Sequence, residues 1–181
     1  MEANSFVYAL LSIILIIAAF FDFYSQKIPN KLTFTAILAA MLYYGYAGGI
    51  HGLILSLTGL AVGIAVLFLP YIMGGTGAGD VKLMGAVGSW LGAKAVFSAF
   101  LLTALFGGIY AVLIIFLNQK IFKGYFTKAF HTMLAFLLTK KYMPEPVIEN
   151  KNKPKLCYGI AIALGTFFYM GLAIAGYEFL I

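Results

Sequence analysis

The sequence predicts an all-α membrane protein with six transmembrane helices and one segment on the cytoplasmic surface of the bilayer. The chain has 181 residues, of which 63% are hydrophobic and 10% are charged, and its mean hydropathy is +1.00. A soluble domain of this size could not bury so much apolar surface. The apolar runs are continuous rather than alternating, which favours membrane helices over a transmembrane barrel.

Six apolar runs give the order of the predicted helices. Their approximate bounds are 5–22, 32–48, 53–73, 80–93, 95–117 and 157–179. Turn and charge signals separate them, among them SQKIPNK, GGIHG and GGTGAG. The fourth run is short and glycine-rich, so a crossing there requires tilt, neighbouring residues or a locally thinner bilayer. We expect the helices to form one domain over residues 1–181.

The distribution of lysines predicts the orientation in the membrane. The net charge of +6 comes from twelve basic residues, all of them lysines. If the N-terminus is outside, Lys27, Lys31, Lys82 and the eight lysines of segment 118–156 are cytoplasmic, and only Lys94 is outside. This asymmetry follows the positive-inside rule and places both termini outside. Because topology explains the lysines, we expect the lipid bilayer as a partner and no nucleic acid.

The long segment 118–156 is predicted to be a cytoplasmic loop. Its middle part, YFTKAFHTMLAFLLTKKY, combines lysines with apolar residues at helical spacing, which is typical of an interfacial segment. His131 lies there, and His51 lies in a short outer loop. Cys157 is the single cysteine, so an internal disulfide is excluded. Since neither histidine has a ligand partner at metal-binding spacing, we predict no metal site.

Small residues and turn residues have predicted structural roles. Pro29 and Asn30 suit a turn and the cap of the second helix, in preference to substrate contact. Close helix packing is predicted for small residues at helical spacing. These are Gly59 with Gly63, Ala161 with Gly165, and Gly85, Gly88 and Gly92.

The chain contains two aspartates, Asp22 and Asp80. Asp22 follows one predicted crossing and Asp80 follows three, so both lie at the same cytoplasmic boundary of the membrane. Asp80 could simply cap a helix, and Asp22 could face lipid headgroups. Ionisable residues at membrane depth are costly, however, and usually mark a functional site.

Two adjacent carboxylates predict general acid–base chemistry. Desolvation and repulsion make such a pair share one proton, so one group can activate water while the other protonates a carbonyl oxygen. This hydrolyses a peptide bond without a metal or a protein nucleophile. Gly77 and Gly79 would allow backbone or an extended substrate to approach Asp80 closely. For Lys82 we favour membrane phosphate or loop anchoring over promoting ionisation of a carboxylate.

The residues around both aspartates resemble motifs of a known family. GAGD followed by VKLMGAVGSWLG is similar to the Gly-x-Gly-Asp motif of the prepilin peptidases, the type IV leader peptidase family of membrane aspartic proteases. DFYSQKIPNKL resembles that family's first motif, an aspartate followed by Ile-Pro-Asn. The resemblance implies that Asp22 and Asp80 are catalytic and that the substrate is a prepilin-like protein with a short basic leader. It implies cleavage at the cytoplasmic membrane face and no cofactor.

The chain also departs from the larger members of that family. Those members carry a cytoplasmic domain with a four-cysteine zinc site and methylate the new amino terminus, whereas this chain has one cysteine. It is more similar to short, peptidase-only members that serve Tad/Flp-type pili, or to archaeal preflagellin peptidases. We therefore expect no N-methyltransferase activity.

Two other functions are also compatible with the sequence. Phe21 and Asp22 resemble the Tyr-Asp motif of presenilin-type and signal-peptide-peptidase-type proteases, although the Ile-Pro-Asn run and the small size favour prepilin peptidase. A small proton-coupled transporter could also use two aspartates, but broken helices near the midplane would then be expected. The sequence predicts neither the substrate-binding residues nor the oligomeric state.

Overall fold

The described part of the chain is helical apart from short turns. The computed structural model describes residues 2–117 and 157–177. They form five helices and no strands: α1 (Glu2–Ser25), α2 (Asn30–Ile72), α3 (Ala78–Leu91), α4 (Ala93–Leu117) and α5 (Tyr158–Ile174). This confirms the predicted all-α fold.

Three described stretches are long and apolar enough to cross a membrane. They are Ser5–Ser25, Asn30–Ile72 and Ala93–Leu113. Six crossings remain a prediction. The predicted cytoplasmic loop 118–156, with His131, lies outside the described residues.

A backbone break at Gly49 divides α2 into two arms, 30–48 and 50–72. Gly49 has φ 57° and ψ −139°, a conformation open to glycine because it has no Cβ. The arms correspond to the second and third predicted runs. Immediately beyond the break, a Cβ at Gly52 would collide with the carbonyl of Tyr44, so the two arms are in close contact next to the break.

The first arm of α2 packs beside α3 through a buried tryptophan. The Trp90 indole N–H donates to the carbonyl of Ala36 at 3.0 Å. The Tyr44 hydroxyl donates to the carbonyl of Trp90 at 2.6 Å. These bonds satisfy polar groups that would be costly to leave unpaired in an apolar environment.

The second arm of α2 contacts α3 backbone to backbone. A Cβ at Gly59 would collide with the carbonyl of Gly88, and one at Gly63 would collide with that of Met84. The close contacts predicted for Gly59, Gly63 and Gly88 are therefore present. Since α3 is about 21 Å long, it is shorter than the hydrocarbon layer of about 30 Å. Its residues from Leu83 to Trp90 are nevertheless all buried, so this stretch meets protein rather than lipid.

The face of α1 that packs against α5 explains the position of Asp22. Leu11, Leu15 and Ala18 are fully buried, and their spacing makes a continuous helical stripe. Asp22 is the next position on that stripe, one turn after Ala18. The carboxylate is therefore directed into the packed interior, where α1 contacts α5.

The chain divides into two compact units, Met1–Gly107 with Cys157–Ile181, and Gly108–Leu156. The first contains α1 to α3, most of α4, and α5. Of the second, the structure describes residues 108–117, which continue α4. The single domain predicted over 1–181 stays a prediction. All contacts described below lie within the first unit.

Candidate active site

The short loop before α3 and its first turn hold the carboxylate of Asp80. Gly77 is the N-cap of α3, and Asp80 is the third helical residue. The Gly77 N–H donates to Asp80 Oδ2 at 2.8 Å, and the side chain is 8% exposed. The interpretation of Asp80 as the N-cap residue is thus wrong, because Gly77 occupies that position. Its carboxylate instead reaches back to the N-cap amide, as the acidic residue of a capping box does.

The carboxylate of Asp22 is held by a helix that begins much later in the chain. The Gly159 N–H donates to Asp22 Oδ2 at 2.8 Å. The Ile160 N–H also lies near enough to favour the ionised carboxylate by hydrogen bonding. Asp22 is 6% exposed. Cys157, the N-cap of α5, makes no side-chain capping bond. Asp22 therefore satisfies amides at the start of α5 and lies where the helix dipole favours a negative charge.

The two aspartates lie in the same part of the structure. Burial is the main influence on the ionisation of Asp80, and the nearby charge of Asp22 is a smaller one. Both charges also act on the thiol of Cys157, and that of Asp80 acts on the hydroxyl of Tyr158. Because both carboxylates are buried, water screens their mutual repulsion only weakly. The structure thus has near each other the two residues that the sequence predicts to share one membrane boundary.

Gly77 and Gly79 both stand at close approaches within the protein. A Cβ at Gly77 would lie 3.3 Å from Asp80 Oδ2. A Cβ at Gly79 would lie 3.3 Å from Ile28 Cβ, and Ile28 itself is buried. The segment that follows Asp22 therefore lies directly against the first turn of α3. This contact joins the two sequence motifs.

Lys82 links the starts of α2 and α3. Its ammonium donates to Asn30 Oδ1 at 2.9 Å and lies 5.6 Å from the centre of the Phe34 ring. These contacts are those of a residue that anchors the start of α3 to the start of α2. Pro29 is the N-cap of α2 without a side-chain capping bond. The predicted capping role of Asn30 is therefore not what its side chain does, because it accepts the Lys82 hydrogen bond.

The described residues include no group of three or more His, Cys, Asp or Glu side chains that could hold a metal ion. His51 is exposed on the second arm of α2. The predicted absence of a metal site stays a prediction for the whole chain.

The sequence did not single out the start of α5 as part of this site. Cys157 is buried, Tyr158 is partly buried, and Gly159 contacts Asp22 directly. A lone cysteine and a glycine at the start of an apolar run carry no local signal of such a role. Asp22, which accepts from Gly159, is 137 positions away from it in the chain, and that pairing depends on how α1 and α5 pack.

Comparison with known proteins supplies the family. A prepilin leader peptidase/N-methyltransferase from Aeromonas salmonicida is 32% identical over 117 residues, covering 61% of this chain and 40% of that protein. The protein of the same description from Bacillus subtilis is 37% identical over 108 residues, covering 54% of this chain and 40% of that protein. This chain thus matches well under half the length of these curated relatives. No solved structure matches it.

The sequence model of the type IV leader peptidase family matches residues 9–112, a region that includes Asp22 and Asp80. Since this match covers more than half of the chain, the protein belongs to the type IV leader peptidase family.

Proposed function

We propose that this protein is a membrane aspartic endopeptidase that removes the short basic leader from prepilin-like proteins. The observation that carries the proposal is that two buried carboxylates, Asp22 from the end of α1 and Asp80 from the start of α3, lie within electrostatic range of each other. Burying two like charges together is unfavourable unless they share a proton. A pair with one proton is suited to simultaneous acid and base catalysis.

In the proposed reaction, the ionised carboxylate removes a proton from a water molecule as the water oxygen attacks the scissile carbonyl carbon. The protonated carboxylic acid donates its proton to the carbonyl oxygen, which gives a tetrahedral diol. Collapse of the diol breaks the C–N bond, and the leaving nitrogen takes up a proton from the pair. The products are a free leader carboxylate and a new amino terminus, and the reaction needs no cofactor.

The substrate assignment rests on the family and on the names of the relatives, which are prepilin leader peptidases. Those relatives are also named N-methyltransferases. We propose that this chain cleaves without methylating, because its single cysteine cannot form the four-cysteine zinc site of the larger, methylating family members. A prepilin incubated with the chain and S-adenosylmethionine should lose its leader and keep an unmethylated amine. A methyl group on the product, detected by mass spectrometry, would contradict this assignment.

Leader cleavage by the purified full chain tests the peptidase proposal. The chain, reconstituted in liposomes, should release the leader from a prepilin in the presence of EDTA. The Asp22→Asn/Asp80→Asn double variant, purified in the same way, controls for contaminating proteases and should release none. A wild-type chain that leaves the prepilin intact would exclude this function in favour of a different protease or a transporter.

We further propose that the site opens at the cytoplasmic face of the inner membrane and that both termini are outside. The lysine asymmetry supports this orientation. In a Cys157→Ser background, a cysteine at Gly48 should react with an impermeant thiol reagent added outside intact cells. A cysteine at Asn150 should react only after the membrane is opened. The reverse pattern would place both aspartates at the outer face.

A further inference from the structure

The start of α5 makes a contact with Asp22 that the family comparison does not cover. The family match ends at residue 112, whereas α5 begins at Tyr158. The Gly159 N–H nevertheless lies 2.8 Å from Asp22 Oδ2. This hydrogen bond joins the end of α1 to the start of α5.

The contact requires a glycine. A Cβ at Gly159 would lie 2.8 Å from Asp22 Oδ2 and 3.1 Å from both Asp22 Cβ and Asp22 Cγ. The three atoms nearest to an added methyl group therefore all belong to the carboxylate side chain. A substitution would push on Asp22 itself. Gly171, in the same helix, has nothing within 4 Å of an added Cβ and provides a matched control.

We propose that Gly159 is a positioning residue for Asp22, which it fixes by a backbone hydrogen bond and by the absence of a side chain. This inference rests on the proposed peptidase function. The amide donates to one carboxylate oxygen and sets the rotation of the carboxyl group. The other oxygen is then oriented for the water or for the shared proton. Fixing a reacting group in this way lowers the barrier, since small displacements of such groups reduce rates strongly.

The hydrogen bond from Gly159 also affects the ionisation of the Asp22 carboxyl group. An amide that donates to a carboxylate favours the ionised form, and the N-terminus of α5 adds to this effect. The other titratable groups near Asp22 are Asp80 at the start of α3 and the Cys157 thiol before α5. The Tyr158 hydroxyl lies within electrostatic range of Asp80. Loss of the Gly159 contact should therefore make Asp22 harder to ionise while these neighbours remain.

Kinetics of leader cleavage give the first test. Gly159→Ala should lower kcat about 10- to 100-fold, on the scale expected for a displacement of about 1 Å, and leave KM nearly unchanged. The acidic limb of its pH–rate profile should move to higher pH, because ionisation of Asp22 has lost its donor. Gly171→Ala should show wild-type kcat and an unshifted profile. A Gly159→Ala enzyme with wild-type kcat and pH profile would overturn the proposal.

A second measurement does not depend on activity. The melting temperature should fall with Gly159→Ala when Asp22 is present, and should not fall in an Asp22→Ala background, where the methyl group has room. Gly171→Ala should change both backgrounds equally. If Gly159→Ala lowers the melting temperature equally in both, or prevents folding in both, the methyl group meets something other than Asp22 and the proposal fails. Wild-type protein without leader cleavage would refute the peptidase function alone, since this thermal coupling would still report the contact.

Discussion

The two aspartates of the site are held in contrasting ways. Asp80 accepts from Gly77, three residues earlier in the same short segment. Asp22 accepts from Gly159, 137 residues later and on another helix. One carboxylate is thus oriented by the local chain, and the other by the packing of α1 against α5. Two carboxylates in the same part of a structure can thus be held by contacts of different origin.

The two hydrogen bonds also depend on different parts of the fold. The Gly77–Asp80 contact persists as long as the first turn of α3 is formed. The Gly159–Asp22 contact persists only while α5 stays packed on α1. Local contacts cost less entropy to form than contacts between distant residues. We therefore expect the geometry of Asp22 to be more sensitive than that of Asp80 to changes far from the site.

The largest effect should come from removing either ionisable proton, and it should be the same at both positions. Asp22→Asn and Asp80→Asn keep the size of the side chain and an oxygen that can accept the observed hydrogen bond. General acid–base steps contribute about 100- to 10,000-fold each. Each single variant should therefore cleave leader at least about 100-fold more slowly, as measured by mass spectrometry of the released peptide. The double variant should be little slower than either, because paired groups act as a unit.

Stability provides the control for these variants. Replacing a buried carboxylate by an amide removes repulsion and desolvation, so both proteins should melt near the wild-type temperature. A folded Asp80→Asn protein that cuts prepilin at a near-normal rate would show that Asp80 only stabilises the start of α3. That result would exclude the two-aspartate mechanism. The contrast between Asp22 and Asp80 would then concern only how each side chain is held in the fold.

A smaller effect is expected where the two regions touch, at Gly79. An added Cβ there would lie 3.3 Å from Ile28 Cβ and 3.5 Å from Ile28 N. Gly79→Val should separate the segment after Asp22 from α3 and reduce cleavage about tenfold, because it displaces reacting groups without removing them. Gly79→Ala should have a lesser effect.

Relief of the same contact provides the control for Gly79. Adding Ile28→Gly, which removes the Ile28 Cβ, should restore part of the activity lost in Gly79→Val; the reference for the double variant is Ile28→Gly alone. If Gly79→Val is as active as wild type, Asp80 is positioned by local contacts only. If Ile28→Gly gives no recovery, the added side chain acts through another neighbour.

The sequence predicts most of what depends on local chemistry. Apolar runs predict the helices, because burial and backbone hydrogen bonding leave few alternatives for such segments. The Gly49 break falls in the predicted turn GGIHG. Gly77 and Asp80 lie within one short motif, so their proximity follows from the chain itself. The glycine contacts between α2 and α3 likewise follow from small residues at helical spacing.

Other features depend on tertiary packing and could not be predicted locally. Cys157 and Gly159 approach Asp22 because buried stripes on α1 and α5 face each other, and a single sequence does not specify which stripes pair. Asn30 has the composition of a cap, yet its side chain binds Lys82, which lies 52 residues later. Local propensity is a weak guide where a distant donor competes for the same oxygen.

The smallest effect should come from the Lys82–Asn30 bond, which joins the starts of α2 and α3 outside the aspartate pair. The bond is exposed to solvent, so its net contribution is about 1 kcal/mol. Lys82→Met and Asn30→Ala should each slow leader cleavage only about two- to fivefold. The double variant should be no slower than Lys82→Met, because both single changes remove the bond between Lys82 and Asn30. Lys82→Arg should retain most activity, since an arginine can also donate to Asn30 and stack on Phe34.

The pH–rate profile distinguishes this anchoring role from a direct effect on the carboxylates. Lys82 contacts Asn30 and the Phe34 ring, so Lys82→Met should lower the whole profile without moving either limb. Gly159→Ala, in contrast, should move the acidic limb. If Lys82→Met moves that limb too, the lysine acts electrostatically on the aspartate pair. If the effects of Lys82→Met and Asn30→Ala add, Lys82 acts through a partner other than Asn30, either the Phe34 ring or a membrane phosphate. A loss that is greater in vesicles containing anionic lipid than in neutral vesicles would identify the phosphate.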